Sequence, residues 1–136
     1  MAVSLKVVAR YRDGRTVKGA SLDIDPGRPS CHVRTSEGKT VEVQLKDVKA
    51  LFFVRTLEGD SAHLENRTPA PQDPRRRGSS LVTMTFEDGE VMVGLTIRYP
   101  PNRPFFYILP VDPESNNIRM LVNRDAVVSM AAVEPP

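Results

Sequence analysis

The 136-residue sequence predicts an all-β protein made of two tandem five-stranded small barrels packed as a pseudo-two-fold pair, and three observations lead there. Apolar residues alternate with polar ones, as Val7, Ala9 and Tyr11 do with Val8, Arg10 and Arg12, the period of a half-buried strand. The chain also repeats itself: Asp13-Gly14, Gly19, Pro26 and Arg28-Pro29 return 75 residues later as Asp88-Gly89, Gly94, Pro101 and Arg103-Pro104. Apolar positions obey the same shift, Val7 matching Val82, Tyr11 matching Phe86, Leu22 matching Ile97 and Val33 matching Ile108. Such self-similarity marks a duplicated structural unit. Beyond the third strand the shift becomes 79, laying Asp47–Leu51 on Ala126–Met130, so the second copy carries four extra residues in one loop.

Each element follows from local chemistry. The first strand runs through Val7 to Tyr11, and Asp13-Gly14 supplies two positive-φ positions for a two-residue hairpin. The chain returns as Thr16 to Leu22, with Gly19 and its copy Gly94 inside the strand, where a missing side chain permits a sharp bend. A proline-rich loop follows, then a strand from Ser30 to Arg34, a turn at Ser36–Lys39, a strand from Thr40 to Leu45, a brief turn at Lys46-Asp47, and a last strand from Val48 to Val54. The organisation is a first barrel over 1–55, a polar Pro- and Arg-rich linker over 56–79, and a second barrel over 80–136. A linker of this length without an apolar pattern reads as a mobile tether. A unit of about 50 residues is near the lower limit for folding alone, so each copy needs the other.

Composition narrows function. The net charge of +2 demands neither nucleic acid nor an anionic membrane, and the longest apolar run, Ala50–Val54, is far short of a membrane span. The charge is unevenly shared, with +5 over residues 1–55 and −3 over 80–136, a difference that draws the two units together or simply reflects two solvated surfaces. A single cysteine, Cys31, and a start without a signal-peptide pattern point to the cytoplasm. No catalytic residue, cofactor site or metal site is expected. Cys31 and His32 are neighbours on one strand and face opposite ways, His63 is remote, and Gly14 and Gly19 lack the Lys of a phosphate loop. Cys31 matches Phe106 in the repeat, which marks it as a packing position.

The run Val82–Leu95, with alternating apolar residues before Asp88-Gly89 and a glycine five residues on, resembles the first motif of the Sm-like family, as does Val7–Ala20. The resemblance implies an SH3-like barrel with a strongly bent second strand. Sm-like proteins bind single-stranded RNA through an Asp and an Asn after the second strand and an Arg-Gly pair before the fifth. Asp25 and Asn102 fall near the first motif, and neither unit has the Arg-Gly pair. Over nearly all of both units, Phe86–Gly94, Pro104–Arg119 and Leu45–Val54 resemble an uncharacterised bacterial domain family of signalling proteins. That similarity implies a regulatory setting such as signalling, motility or polarity, without naming a ligand. Arg75–Arg77 resemble in position the arginine arm of PilZ-type cyclic-di-GMP sensors, whose second motif the chain lacks.

The loops Pro26–Pro29 and Pro101–Pro104 each hold an arginine between rigid neighbours. A guanidinium so presented meets carboxylates or phosphates in two-point fashion, or closes a salt bridge within its own barrel. Arg28, Arg103 and Asn102 are the expected partner contacts, with Arg75, Arg76 and Arg77 as an auxiliary arm or a solvated tether end. The inserted tip Asp112–Asn117 reads as turn chemistry or as a partner contact. The leading expectation is a non-enzymatic adaptor that binds a protein through a barrel edge and these loops, with self-association open to it. The alternative is a single-stranded RNA or cyclic-dinucleotide module using the basic first unit.

Overall fold

The computed structural model describes residues 4–59, 64–65 and 73–133. The first unit forms β1 (Leu5–Tyr11), β2 (Thr16–Ser21), β3 (Ser30–Arg34), β4 (Thr40–Gln44) and β5 (Val48–Val54). The second repeats the series as β6 (Ser80–Phe86), β7 (Val91–Thr96), β8 (Phe105–Pro110), β9 (Asn117–Asn123) and β10 (Val127–Ala132). Short 3-10 turns at Leu45–Asp47 and Arg124–Ala126 join the fourth strand to the fifth in each copy, and another lies at Pro74–Arg76.

The ten strands make one antiparallel sheet in the order β10-β6-β7-β8-β9-β5-β1-β2-β3-β4. The expected pair of closed barrels is corrected here: neither β4–β5 nor β9–β10 is paired, so neither unit closes on itself. β5 gives its free edge to β9 instead, with Leu51 opposite Leu121 and Phe52 opposite Met120. The units therefore meet through unlike strands, the fifth of one and the fourth of the other, and the two-fold mate of this join, β10 with β4, is not made.

Burial explains that choice. Every residue of β5 is buried, because both faces of the strand are covered. Leu51 and Phe53 enter a core with Val7, Ala9, Tyr11, Cys31, Val33 and Val43, whereas Ala50, Phe52 and Val54 enter a second core with Val82, Met84, Phe86, Phe106 and Ile108. β9 divides likewise, Leu121 to the first core and Met120 and Val122 to the second. Burying a Phe or Leu side chain contributes about 1.5–3 kcal/mol, and closing β5 onto β4 would forgo the second face.

Backbone bonds repeat with the sequence. Leu45 N–H donates to Pro29 O and Arg124 N–H to Pro104 O, both at 2.9 Å. The hairpin turns differ from expectation. Within the two Asp-Gly turns the glycines Gly14 and Gly89 have positive φ, at 96° and 91°, and the Asp before each does not. Gly14 N–H donates to Tyr11 O and Tyr11 N–H to Arg15 O, so the loop has three residues with glycine as the bulge. Asp13 Oδ1 accepts from Arg15 N–H at 3.0 Å, and this side-chain bond steadies the longer loop.

The join is locked at both ends. Asn123, 2% exposed, donates its amide N–H groups to Val48 O at 2.9 Å and Lys46 O at 3.2 Å. At the other end the inserted tip clasps the chain leaving β5: Arg55 donates to Ser115 O and Pro113 O at 3.0 Å each, and Asn116 exchanges bonds with Thr56. The insertion thus lengthens the join. Lys49, on β5, reaches Asp88 at 2.7 Å and Glu90, over the ring of Phe86. Arg12 makes a two-point contact to Glu87, its own counterpart in the repeat.

Candidate functional site

Where the site opens is decided by two glycines. β2 and β3 share one registered pair, Ala20 with Arg34, and β7 and β8 share two, Gly94 with Pro110 and Leu95 with Leu109. A Cβ on Gly19 would run into the Arg34 carbonyl, and one on Gly94 would strike Ile108 and stand 2.9 Å from Leu109 O. Such close crossing strands part at once, leaving loops 22–29 and 97–104 to stand away from the sheet.

Between those loops lies a cleft of about 320 Å³, lined by Pro26 from the first loop, Ile97, Pro101, Asn102 and Arg103 from the second, and Phe105 and Tyr107 from β8. Its wall is mainly apolar, and Ile97 is 85% exposed there. Period-two alternation sends Phe106 and Ile108 into the second core and leaves Phe105 and Tyr107 half-buried on the other face. Those two rings lean on the first core: Tyr107 meets Phe53 with ring centroids 6.2 Å apart, and the Arg119 guanidinium sits 4.7 Å from the Tyr107 ring.

Local bonds fasten the loops to the sheet. Asp25 Oδ1 accepts from Gly27 N–H at 2.7 Å, and Arg28 N–H donates to Asp25 O. Asp23 anchors the first loop to β3 by accepting from His32 N–H at 2.8 Å and pairing with His32 Nδ1 at 2.7 Å. These bonds hold the Asp23 carboxyl below its ordinary pKa and raise that of His32. In the second loop, Thr96 Oγ1 donates to Arg98 O.

The expected contact residues separate. Asn102 and Arg103 both line the cleft, and Arg28 lies outside the lining on the neighbouring loop. Both arginines are exposed, and among the described residues neither guanidinium has an ion pair or hydrogen bond. Arg75 is placed differently: it pairs with Asp73 at 2.8 Å and donates to Pro110 O and Val111 O at the far end of β8. It pins the 3-10 turn to the sheet and is not a free arm. Arg77 is exposed, and the side chain of Arg76 lies outside the described residues. Cys31 is fully buried, and burial pushes its thiol up to about 11.

Sequence reasoning overlooked Phe105, Tyr107, Ile97 and Arg98. The alternation of β8 carries the signal for the first two, since their counterparts Ser30 and His32 are polar and the change to aromatic marks a face that became covered.

Fold and site together define a duplicated all-β protein with a largely apolar cleft between two proline-rich loops that each present an exposed arginine. Over residues 3–134 the chain matches the family of unknown function DUF6982, and it belongs to that family. No curated protein and no solved structure matches it. No helix among the described residues is long and apolar enough to cross a membrane.

Proposed function

We propose that the protein is a non-enzymatic bacterial regulatory or adaptor protein of the cytoplasm, built on two SH3/Sm-like units, that holds an extended segment of a protein partner across this cleft. Each unit keeps its fifth strand beside its first and its fourth at the far edge, an order compatible with that ancestry. The observation that carries the reading is the cleft itself. Rings of Phe105 and Tyr107 and the exposed Ile97 take apolar side chains, and the unpaired Arg103, with Arg98 beside it, meets carboxylates flanking them. Arg28 adds a contact from the adjoining loop. Signalling, motility or polarity is the setting this architecture serves.

A random peptide library displayed against the immobilised protein tests it. Enrichment of sequences pairing apolar residues with Asp or Glu is expected, with binding lost in Arg103→Glu and in Ile97→Asp while thermal unfolding is unchanged. Enrichment without acidic residues, or equal binding by these variants, overturns the assignment. Tight binding of RNA or a cyclic dinucleotide that falls log-linearly with salt would favour the nucleic-acid alternative.

A further inference from the structure

We propose that a second copy of this chain adds to the sheet head to tail, β10 of one copy pairing antiparallel with β4 of the next. The inference rests on the join already inside the chain and not on the cleft. There the fifth strand of one unit pairs with the fourth strand of the other, and the strands left at the two ends of the sheet are again a fifth, β10, and a fourth, β4. The molecule ends in the two halves of a junction it has already made once.

Register can be carried over through the two shifts. Leu51 opposite Leu121, Phe52 opposite Met120 and Phe53 opposite Arg119 become Met130 opposite Glu42, Ala131 opposite Val41 and Ala132 opposite Thr40 of the second copy. Backbone directions agree. Val133 N–H donates to Leu81 O across β6, which by two-residue alternation turns Met130 and Ala132 outward; Leu45 N–H donates to Pro29 O across β3, which turns Thr40 and Glu42 outward. Both outward rows fall at the positions that would face each other. Val127–Val133 contains no charged residue, with Val128 66% and Val133 42% exposed, so β10 lacks the charges that usually blunt an edge.

One device does guard it. Tyr99 Oη donates to Met130 O at 3.3 Å, covering an outward carbonyl of β10. The counterpart of Tyr99 in the first copy is Ile24, which has no hydroxyl, and there the matching edge of β5 is occupied by β9. The guard thus stands only where an edge is free, and addition of a second copy displaces this single bond. The outer face of β10 shows Ser129 and Ala131 where β5 shows Ala50 and Phe52, so the junction between copies buries less apolar surface than the internal one. Association is therefore reversible and rises with concentration.

Sedimentation equilibrium tests the proposal on the full chain. Wild type is expected to gain mass with concentration, and Tyr99→Phe to associate about three- to tenfold more tightly. Ala132→Pro and Glu42→Pro each remove an outward N–H, a change that an edge strand tolerates. Each variant alone should be monomeric, and an equimolar mixture should form one-to-one dimers through the two intact edges. If either proline variant loses its far-UV dichroism, Thr40→Glu with Ala132→Glu in one chain sets like charges across the junction and should abolish association. A monomeric wild type and Tyr99→Phe at the highest soluble concentration, or self-association of either blocked variant alone, overturns it.

Discussion

His32 shows how a single residue shapes the edge of the cleft. Its Nδ1 lies 2.7 Å from Asp23 and its Nε2 3.6 Å from Glu42, so the loop beside the cleft is tied to β3 and β4 by an exposed, titratable ring. The bond to Asp23 raises the His32 pKa above its ordinary value, and a raised folded value stabilises the protein fully below the unfolded pKa and is lost as pH rises through the folded one. Asp23 is shifted the other way, chiefly by the same pair, so its contribution is present above the unfolded carboxyl pKa and lost as pH falls through its folded value. The loop is thus held best in the acidic window between the two. In a proton NMR titration, Asp23→Asn is expected to bring the His32 midpoint down towards about 6.5. An unmoved midpoint would show that the pair does not form in solution. At this scale the sequence was informative where the repeat compared like with like: Cys31 aligned with Phe106 and is indeed a packing residue. It was misleading for Arg75, because a run of arginines looks solvated until Asp73 and two distant carbonyls come within reach.

Strand boundaries were legible to within a residue or two, since Ser30–Arg34 and Val48–Val54 fall where alternation and turn residues put them. Turn type was not. Asp-Gly suits both a two-residue and a three-residue hairpin, and the difference rests on Tyr11 N–H reaching Arg15 O, a contact no dipeptide encodes. Asn123 was equally hidden, because its value depends on the 3-10 turn after β4, which lies 77 residues away in sequence. Its buried amide satisfies carbonyls of Lys46 and Val48 that no water replaces easily. Asn123→Leu should therefore cost about 2–3 kcal/mol in urea denaturation, chiefly by leaving those acceptors unpaired. Gly94→Ala should destabilise by about 1–3 kcal/mol through collision with Ile108, and would also splay the loop that carries Asn102 and Arg103. Equal stability of either variant would show that the strands give way more easily than this packing implies.

For the whole molecule, the repeat made two units plain and left their connection open. An unbroken buried run from Val48 to Val54 indicates a strand covered on both faces, but whether β4 or β9 supplies the second neighbour is a competition between apolar surfaces that neither segment reports alone. The outcome makes the halves inseparable. Phe52 belongs to the first unit by sequence and to the second core by contact, so its removal injures the unit it does not come from. Phe52→Ala is expected to lower stability by about 3–5 kcal/mol. Because β5 and β9 serve both cores, that loss should shift one common transition, with tyrosine fluorescence and far-UV dichroism moving together in urea. Tyr11 and Tyr107 both report on the first core, Tyr107 from a strand of the second unit. Two separated transitions, with Phe52→Ala moving only one, would mean that each unit holds together without the shared strands, and β5 would then be a hinge and not the keel of the fold.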